Sequence, residues 1–204
     1  MNSDELKIIF EDGDIVVCDK PSGVLSEGEG SMTSLLAERF GQIFCVHRLD
    51  RETSGLMVYA RSSSAAASLS AQIRESLFEK EYLALIEGVP SQDVGSFEDM
   101  LFYDRTKNKS FVVRSGGKAR KGVKHALLDY SVIEKKDDRA LVRIKLHTGR
   151  THQIRVQFAS RGMPLVADRR YGAKPSEQRT FFLRSCSLSF YHPKTKEKIS
   201  FEIL

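Results

Sequence analysis

The residues best suited to chemistry lie in one stretch, His47-Arg48-Leu49-Asp50-Arg51-Glu52-Thr53-Ser54-Gly55-Leu56. A carboxylate, Asp50, stands between two guanidinium groups, and small polar residues and a glycine follow. The apolar run 43–46 precedes it, and residues 56–60 (Leu-Met-Val-Tyr-Ala) read as a strand after it. A charged cluster wedged between two apolar runs reads as a loop that the core delivers into a cleft. A carboxylate among cations is favoured in its ionised form, which suits a nucleophile or base better than a proton donor. Asp50 is expected to have no acidic partner in its loop, which argues against the paired carboxylates of glycosidases. The plainer alternative makes Asp50 a turn residue or half of a structural ion pair.

Other candidates are weaker by themselves. Tyr82 falls in mid-strand, where aromatic residues are mostly core, and Lys20 before Pro21 reads as a solvated turn. His147 and His152 are five apart across a glycine, and His47 is three from Asp50. Metal pairs on a helix are spaced i, i+4, and no cysteines cluster here, so no bound metal is expected. With no GxxxxGK[ST] loop and no GxGxxG after a strand, no nucleotide cofactor is expected either.

The elements that must position these residues are mostly short strands. Residues 6–10 and 15–19 read as strands around an acidic turn, and Lys20-Pro21-Ser22-Gly23 breaks the chain. Ser31 or Thr33 opens a short helix through Phe40 that Gly41 ends, and Ser62-Ser63-Ser64 caps a second over 64–76. Strands follow at 78–87, 97–101, 111–113, 126–134 and 140–146, with basic connections at 105–110 and 115–124. Residues 150–159 have a helical period, with Ile154 and Phe158 four apart, and 180–204 read as a hairpin turning at 192–196. Many strands with a few helices between them indicate an α+β fold with a mixed, largely antiparallel central sheet. At 204 residues the chain is expected to be a single domain.

Charge is divided along the chain. Residues 1–104 carry 8 Lys/Arg against 19 Asp/Glu, and residues 105–204 carry 24 against 8. The windows 105–124 and 139–161 hold eight and six basic residues and no acid. Such concentration points to a polyanion partner, nucleic acid above all. No apolar run approaches the roughly 20 residues that span a bilayer, and the N-terminus lacks a secretory pattern. Cys18, Cys45 and Cys186 are widely spaced in apolar surroundings, as reduced buried thiols are. A cytoplasmic protein is expected, and with no coiled-coil seam, a monomer.

Read together, the motifs resemble RNA pseudouridine synthases of the RluA type. His47-Arg48-Leu49-Asp50 with Thr53-Ser54-Gly55-Leu56 is similar to the catalytic motif of that family. Lys20-Pro21-Ser22-Gly23 resembles its KPxG turn, and Lys80-Glu81-Tyr82-Leu83-Ala84 its KxYxA strand. Thr148-Gly149-Arg150-Thr151-His152-Gln153-Ile154-Arg155 resembles its TGRTHQIR block. Pro164-Leu165-Val166, Tyr171-Gly172 and Tyr191-His192-Pro193 match later landmarks, so the likeness spans about residues 15–204.

The resemblance implies a pseudouridine synthase fold around a catalytic cleft, no cofactor, and a ribosomal or transfer RNA stem-loop as substrate. Asp50 would start breakage of the uridine glycosidic bond, by covalent addition or by removal of a sugar proton. Arg48 would enter the RNA stack where the base leaves, and Tyr82 would pack on the flipped uracil and help in proton transfer. Arg155 would pair with Asp50, and Ile154 would line the base pocket. Lys20, His47, Thr53, Arg150 and His152 would support the site or contact RNA. Gln157 and Ala167 stand where the family often has His and Gly. A chain of this length is expected to lack the N-terminal S4 domain of many relatives. Two other classes compete: an RNA-binding or folding-assistance protein, and an Asp-dependent hydrolase of another anionic glycoside, which would release its base.

Overall fold

In a computed structural model of the chain, which describes residues 5–114 and 121–203, the apolar run after the Asp50 loop is a strand buried on both faces. The elements in chain order are β1 (Lys7–Glu11), β2 (Ile15–Lys20), α1 (Met32–Phe40), β3 (Phe44–Cys45), β4 (Ser54–Ala60), α2 (Ser63–Arg74), β5 (Glu79–Glu87), β6 (Val94–Asp104), β7 (Lys109–Val112), β8 (Val123–Lys136), β9 (Arg139–Leu146), α3 (Gln153–Ala159), β10 (Leu183–Tyr191) and β11 (Lys198–Glu202). A 3-10 turn spans Arg169–Tyr171. The basic connection expected over 115–124 falls outside the described residues at 115–120. Contacts divide the chain into two units, Met1–Glu81 with Arg184–Leu204, and Tyr82–Leu183.

The first unit is built on β4. Every residue from Gly55 to Ala60 is buried, which is why this strand reads as an unbroken apolar run rather than an alternation. Antiparallel β2 flanks it on one side, and β10 joins it in parallel through Arg184–Ser54 and Ser185–Gly55. One face of the sheet packs Leu56, Val58, Ile15 and Val17 against Ala65 and Leu69 of α2, with Phe78, Leu188 and Phe190. Phe78 and Phe190 stack at 5.0 Å between ring centres. The helix 63–74 forms because Ser62 caps it, its hydroxyl accepting the Ala65 N–H at 3.2 Å. Helix α1 ends where Gly41 takes φ 74°, a conformation that favours glycine.

In the second unit β6, β8 and β9 pair antiparallel over long registers, with β7 on the outer side of β6. Helix α3 packs against β6 and β7. Its core includes Leu101, Ala126, Val156 and Tyr171, beside a ring cluster of Phe97, Tyr130 and Phe158. The strand expected at 97–101 extends three residues further at each end, because pairing with β8 continues after the apolar alternation has stopped.

The structure is therefore a mixed, mostly antiparallel sheet flanked by helices, as the strand-rich pattern indicated. The clearest departure is α3. It starts at Gln153, three residues later than its period suggested, because His152 adopts a left-handed conformation at φ 54° and Thr151–His152 form a turn. All residues from Gln153 to Phe158 are buried. Three of the six are polar, so each needs a partner.

Candidate active site

The Asp50 loop is held from both ends of its backbone and presents alternate side chains. His47 and Leu49 are buried, Arg48 is exposed and Asp50 half-buried. The Ser26 hydroxyl accepts the Leu49 N–H at 3.1 Å and donates to the Leu49 carbonyl at 3.0 Å. On the far side of Asp50, the Arg51 carbonyl accepts the Gly23 N–H at 2.8 Å, and Arg51 Nε returns a bond to the Gly23 carbonyl at 2.9 Å. Ser22 donates to the Glu52 carbonyl at 2.7 Å. Asp50 thus sits between two residues whose backbone is laced to the segment 22–26.

Lys20 completes the lacing. It is fully buried, and its ammonium donates to the carbonyls of Pro21 (2.9 Å), Val24 (2.7 Å) and Arg51 (3.1 Å). All three of its protons are engaged, so its place is under the loop rather than against an RNA phosphate. Burial pushes its pKa down to about 8, against the charges of Glu52 and Asp50, which favour the ammonium. Glu52 is a second acid of this loop, contrary to the expectation that Asp50 has no acidic partner there, and both carboxylates act on Lys20.

His47, expected among the RNA contacts, lies inside the protein. Its Nε2 accepts the Val58 N–H at 3.2 Å, so the ring is neutral with the proton on Nδ1. Burial, and then the nearby Lys80 charge, hold its pKa well below the usual histidine range. The ring packs on Phe78 at 5.3 Å, and Lys80 Nζ lies 5.2 Å from the centre of the same ring. Burial lowers the Lys80 pKa to about 8. Thr53 is buried, and its N–H closes a turn onto the Asp50 carbonyl at 3.1 Å. At the start of β4, Gly55 has φ 112°, and a Cβ there would lie 2.2 Å from the Ser185 carbonyl oxygen. The glycine of the motif is thus required by the close approach of β10.

The second unit holds the other candidates. Tyr82 is buried on β5, on the face it shares with Lys80, Ala84 and Ile86. Ile154 and Arg155 are buried on α3. Arg155 makes a two-pronged pair with Asp168, Nε to Oδ2 at 2.6 Å and Nη2 to Oδ1 at 2.9 Å. The Arg150 N–H and the Thr148 hydroxyl both donate to Gln153 Oε1, and Gln153 Nε2 donates to the Leu127 carbonyl. Arg150 Nε reaches the His125 carbonyl at 2.8 Å. His152 Nδ1 lies 2.9 Å from the Tyr171 hydroxyl, which accepts the Ser110 N–H at 2.8 Å. This ties the end of the basic turn 105–108 to the block 150–155. Ser26, which braces the Leu49 backbone, and Asp168, which pairs with Arg155, are the residues that sequence reasoning missed; Asp168, between Pro164-Leu165-Val166 and Tyr171-Gly172, had two motif landmarks beside it.

Asp12, Asp14 and His192 bring ligand-type atoms within 4.8 Å of one another. Two of these groups already have internal partners. His192 Nδ1 accepts the N–H groups of Lys194 and Thr195, so Nε2 donates to Asp12 Oδ2 at 2.8 Å. Partial burial would raise the Asp12 pKa, but the Asp14 and Ile15 N–H groups and His192 together lower it. The cluster fastens the β10–β11 turn to the β1–β2 turn. All three cysteines are free thiols; Cys18 and Cys186 are buried as expected, while Cys45 is half-buried, and burial raises its pKa to about 11.

Comparison with known proteins places this architecture. The family model for RNA pseudouridylate synthases matches residues 14–160. An uncharacterized RNA pseudouridine synthase of Aquifex aeolicus is 36% identical, over 97% of this chain and 69% of the relative. The uncharacterized RNA pseudouridine synthase YlyB of Bacillus subtilis is 32% identical, over 97% and 68%. Ribosomal large subunit pseudouridine synthase C of Pasteurella multocida is 34% identical, over 96% and 63%. The chain thus spans about two thirds of the length of these relatives. Among solved structures, human RNA pseudouridylate synthase domain containing 1 superposes with a TM-score of 0.85 at 25% identity, over all of this chain and 85% of the other. The chain belongs to the RNA pseudouridylate synthase family. Its activity is that of an isomerase acting on uridines of structured RNA. Among the described residues, no helix is long and apolar enough to cross a membrane.

Proposed function

We propose that Asp50 initiates this isomerisation on a uridine of a ribosomal or transfer RNA stem-loop, with the chain working as a cytoplasmic monomer and a single catalytic domain. The supporting observation is the alternation in the loop: His47 and Leu49 are buried and fix the backbone, while Arg48 is exposed and Asp50 half-buried. The ribosomal assignment draws on the large-subunit synthases among its relatives. The basic windows 105–124 and 139–161 supply sequence-independent affinity for the RNA backbone.

A stacked uridine must leave the helix before its glycosidic bond can be reached, at a cost of a few kcal/mol. Arg48, a flat cation on an exposed loop position, fills the vacated stack. Tyr82 receives the uracil face, Ile154 lines the pocket, and Arg155 steadies the Asp50 carboxylate. The bond from uracil N1 to the sugar breaks and one from C5 forms, while C5 loses a proton and N1 gains one. No net oxidation or group transfer occurs, so this chemistry calls on neither a metal nor a nucleotide.

The test is Asp50→Asn in the purified chain, read by pseudouridine formation on RNA from cells lacking the gene. Loss of all modification with retained RNA binding is expected; wild-type modification would overturn the assignment. Arg48→Ala should cut turnover about 10- to 100-fold, the scale of a misplaced substrate, while RNA affinity falls only modestly. A hydrolysed, released uracil would instead favour the glycosidase reading.

A further inference from the structure

We infer that Asp168 is a positioning residue for catalysis, acting through Arg155, whose orientation it sets. The inference rests on the role given above to Arg155. Arg155 leaves α3 at its third residue, and both it and Asp168 are almost fully buried, at 5% and 2% exposure. The contact is a parallel fork, Nε to Oδ2 and Nη2 to Oδ1. Such a fork fixes direction as well as distance. The guanidinium carbon lies 4.4 Å from the centre of the Phe181 ring and 5.0 Å from that of Tyr171. Two rings and one carboxylate therefore restrict its rotation.

The backbone shows that this carboxylate is placed at some expense. Ala167, immediately before Asp168, has φ 68°, a left-handed conformation that a residue with a Cβ adopts at a cost. The Asp168 N–H is anchored on the Leu165 carbonyl at 3.0 Å, and its own carbonyl accepts N–H groups from Tyr171 and Ala173 at 2.9 and 3.2 Å. This tight turn aims the Asp168 side chain at Arg155. A guanidinium carries five N–H donors. Asp168 takes two on the Nε edge, which fixes the direction in which the remaining donors point. A lysine here would keep the charge and lose the direction.

The experiment compares Asp168→Asn, Asp168→Glu, Arg155→Lys and the double variant Asp168→Asn/Arg155→Lys. The readouts are single-turnover rate, RNA affinity and thermal unfolding. The inference expects Asp168→Asn to lower the rate about 10- to 100-fold with RNA affinity unchanged. Asp168→Glu, which keeps the charge but moves it by one methylene, should fall between Asp168→Asn and wild type. The double variant should be no slower than Arg155→Lys alone, because both changes disable one device. Additive losses, or a wild-type rate in Asp168→Asn beside an impaired Arg155→Lys, would overturn the inference and leave the role of Arg155 standing. A wild-type rate in Arg155→Lys would overturn that role itself. Should Asp168→Asn fail to fold, Asp168→Glu decides alone: a slowed rate with intact affinity supports the inference, and a wild-type rate overturns it.

Discussion

Ser26 and Leu49, 23 residues apart, are joined by a single hydroxyl that accepts the Leu49 N–H and donates to the Leu49 carbonyl. Both groups are buried, so neither finds water if the hydroxyl is lost. The residue after Leu49 is Asp50, and a shift of one peptide there moves the carboxylate directly.

Ser26→Ala is therefore expected to cost about 1–3 kcal/mol, the penalty for orphaning buried polar groups, and to slow isomerisation about tenfold or more. Chemical denaturation gives the first quantity and single-turnover assays the second. A variant of unchanged stability and unchanged rate would show that the brace is dispensable.

Lys20→Met separates two roles for the same residue. The ammonium satisfies three carbonyls, one of them the Arg51 carbonyl beside Asp50. Methionine fills the space but donates nothing, and it also removes a buried charge, so a net loss of about 2–3 kcal/mol is expected. The rate should fall while RNA affinity and its salt dependence stay as in the wild type. A shallower salt slope in the variant would mean that Lys20 contacts phosphate after all, since each lost phosphate contact lowers that slope by about one unit.

Particular residues show what could be read from the chain alone. The strand expected at 56–60 was legible because burial on both faces leaves an unbroken apolar run, and α2 because Ser62 sits where a cap belongs. Asp50 and Arg48 stood out through local charge. What was not legible is burial decided by distant partners. His47 and Lys20 are polar residues in a polar motif, and only the Val58 N–H and the Arg51 carbonyl place them inside. The late start of α3 is a backbone event at His152 that a helical period cannot register. Asp168 lies 13 residues from Arg155, beyond a left-handed Ala167, so no periodicity connects them.

His47 gives the protein an acid-sensitive anchor beneath its loop. In the folded state burial and the Lys80 charge keep the ring neutral well below its ordinary range, whereas in the unfolded chain it titrates near 6.5. As pH falls below about 6.5, the unfolded chain takes up a proton that the folded one refuses, so stability is lost on the acid side. Wild-type stability should thus decline more steeply than that of His47→Gln, whose amide oxygen can still accept the Val58 N–H, by an extra slope that rises from about 0.7 kcal/mol per pH unit at pH 6.5 toward about 1.4 near pH 5. Parallel denaturation curves from pH 6.5 to 5 measure the difference. Equal slopes would mean that His47 protonates freely in the folded state.

Gly55 is the position where the motif tolerates least. With φ 112°, and with the carbonyl oxygen, nitrogen and carbonyl carbon of Ser185 at 2.2, 2.6 and 2.8 Å from any added Cβ, alanine meets strain and collision together. The obstacle is the backbone of β10 in parallel register with β4, which cannot turn aside as a side chain would. Gly55→Ala should destabilise the protein by about 3 kcal/mol or more and yield mostly insoluble chain. Gly23→Ala makes the contrast: its φ is 88° but its Cβ direction is open, so strain acts alone, and about 1–2 kcal/mol is expected. Melting temperatures of the two variants should therefore separate clearly. If they fall together, conformational strain alone explains both glycines, and the close approach of β10 contributes nothing.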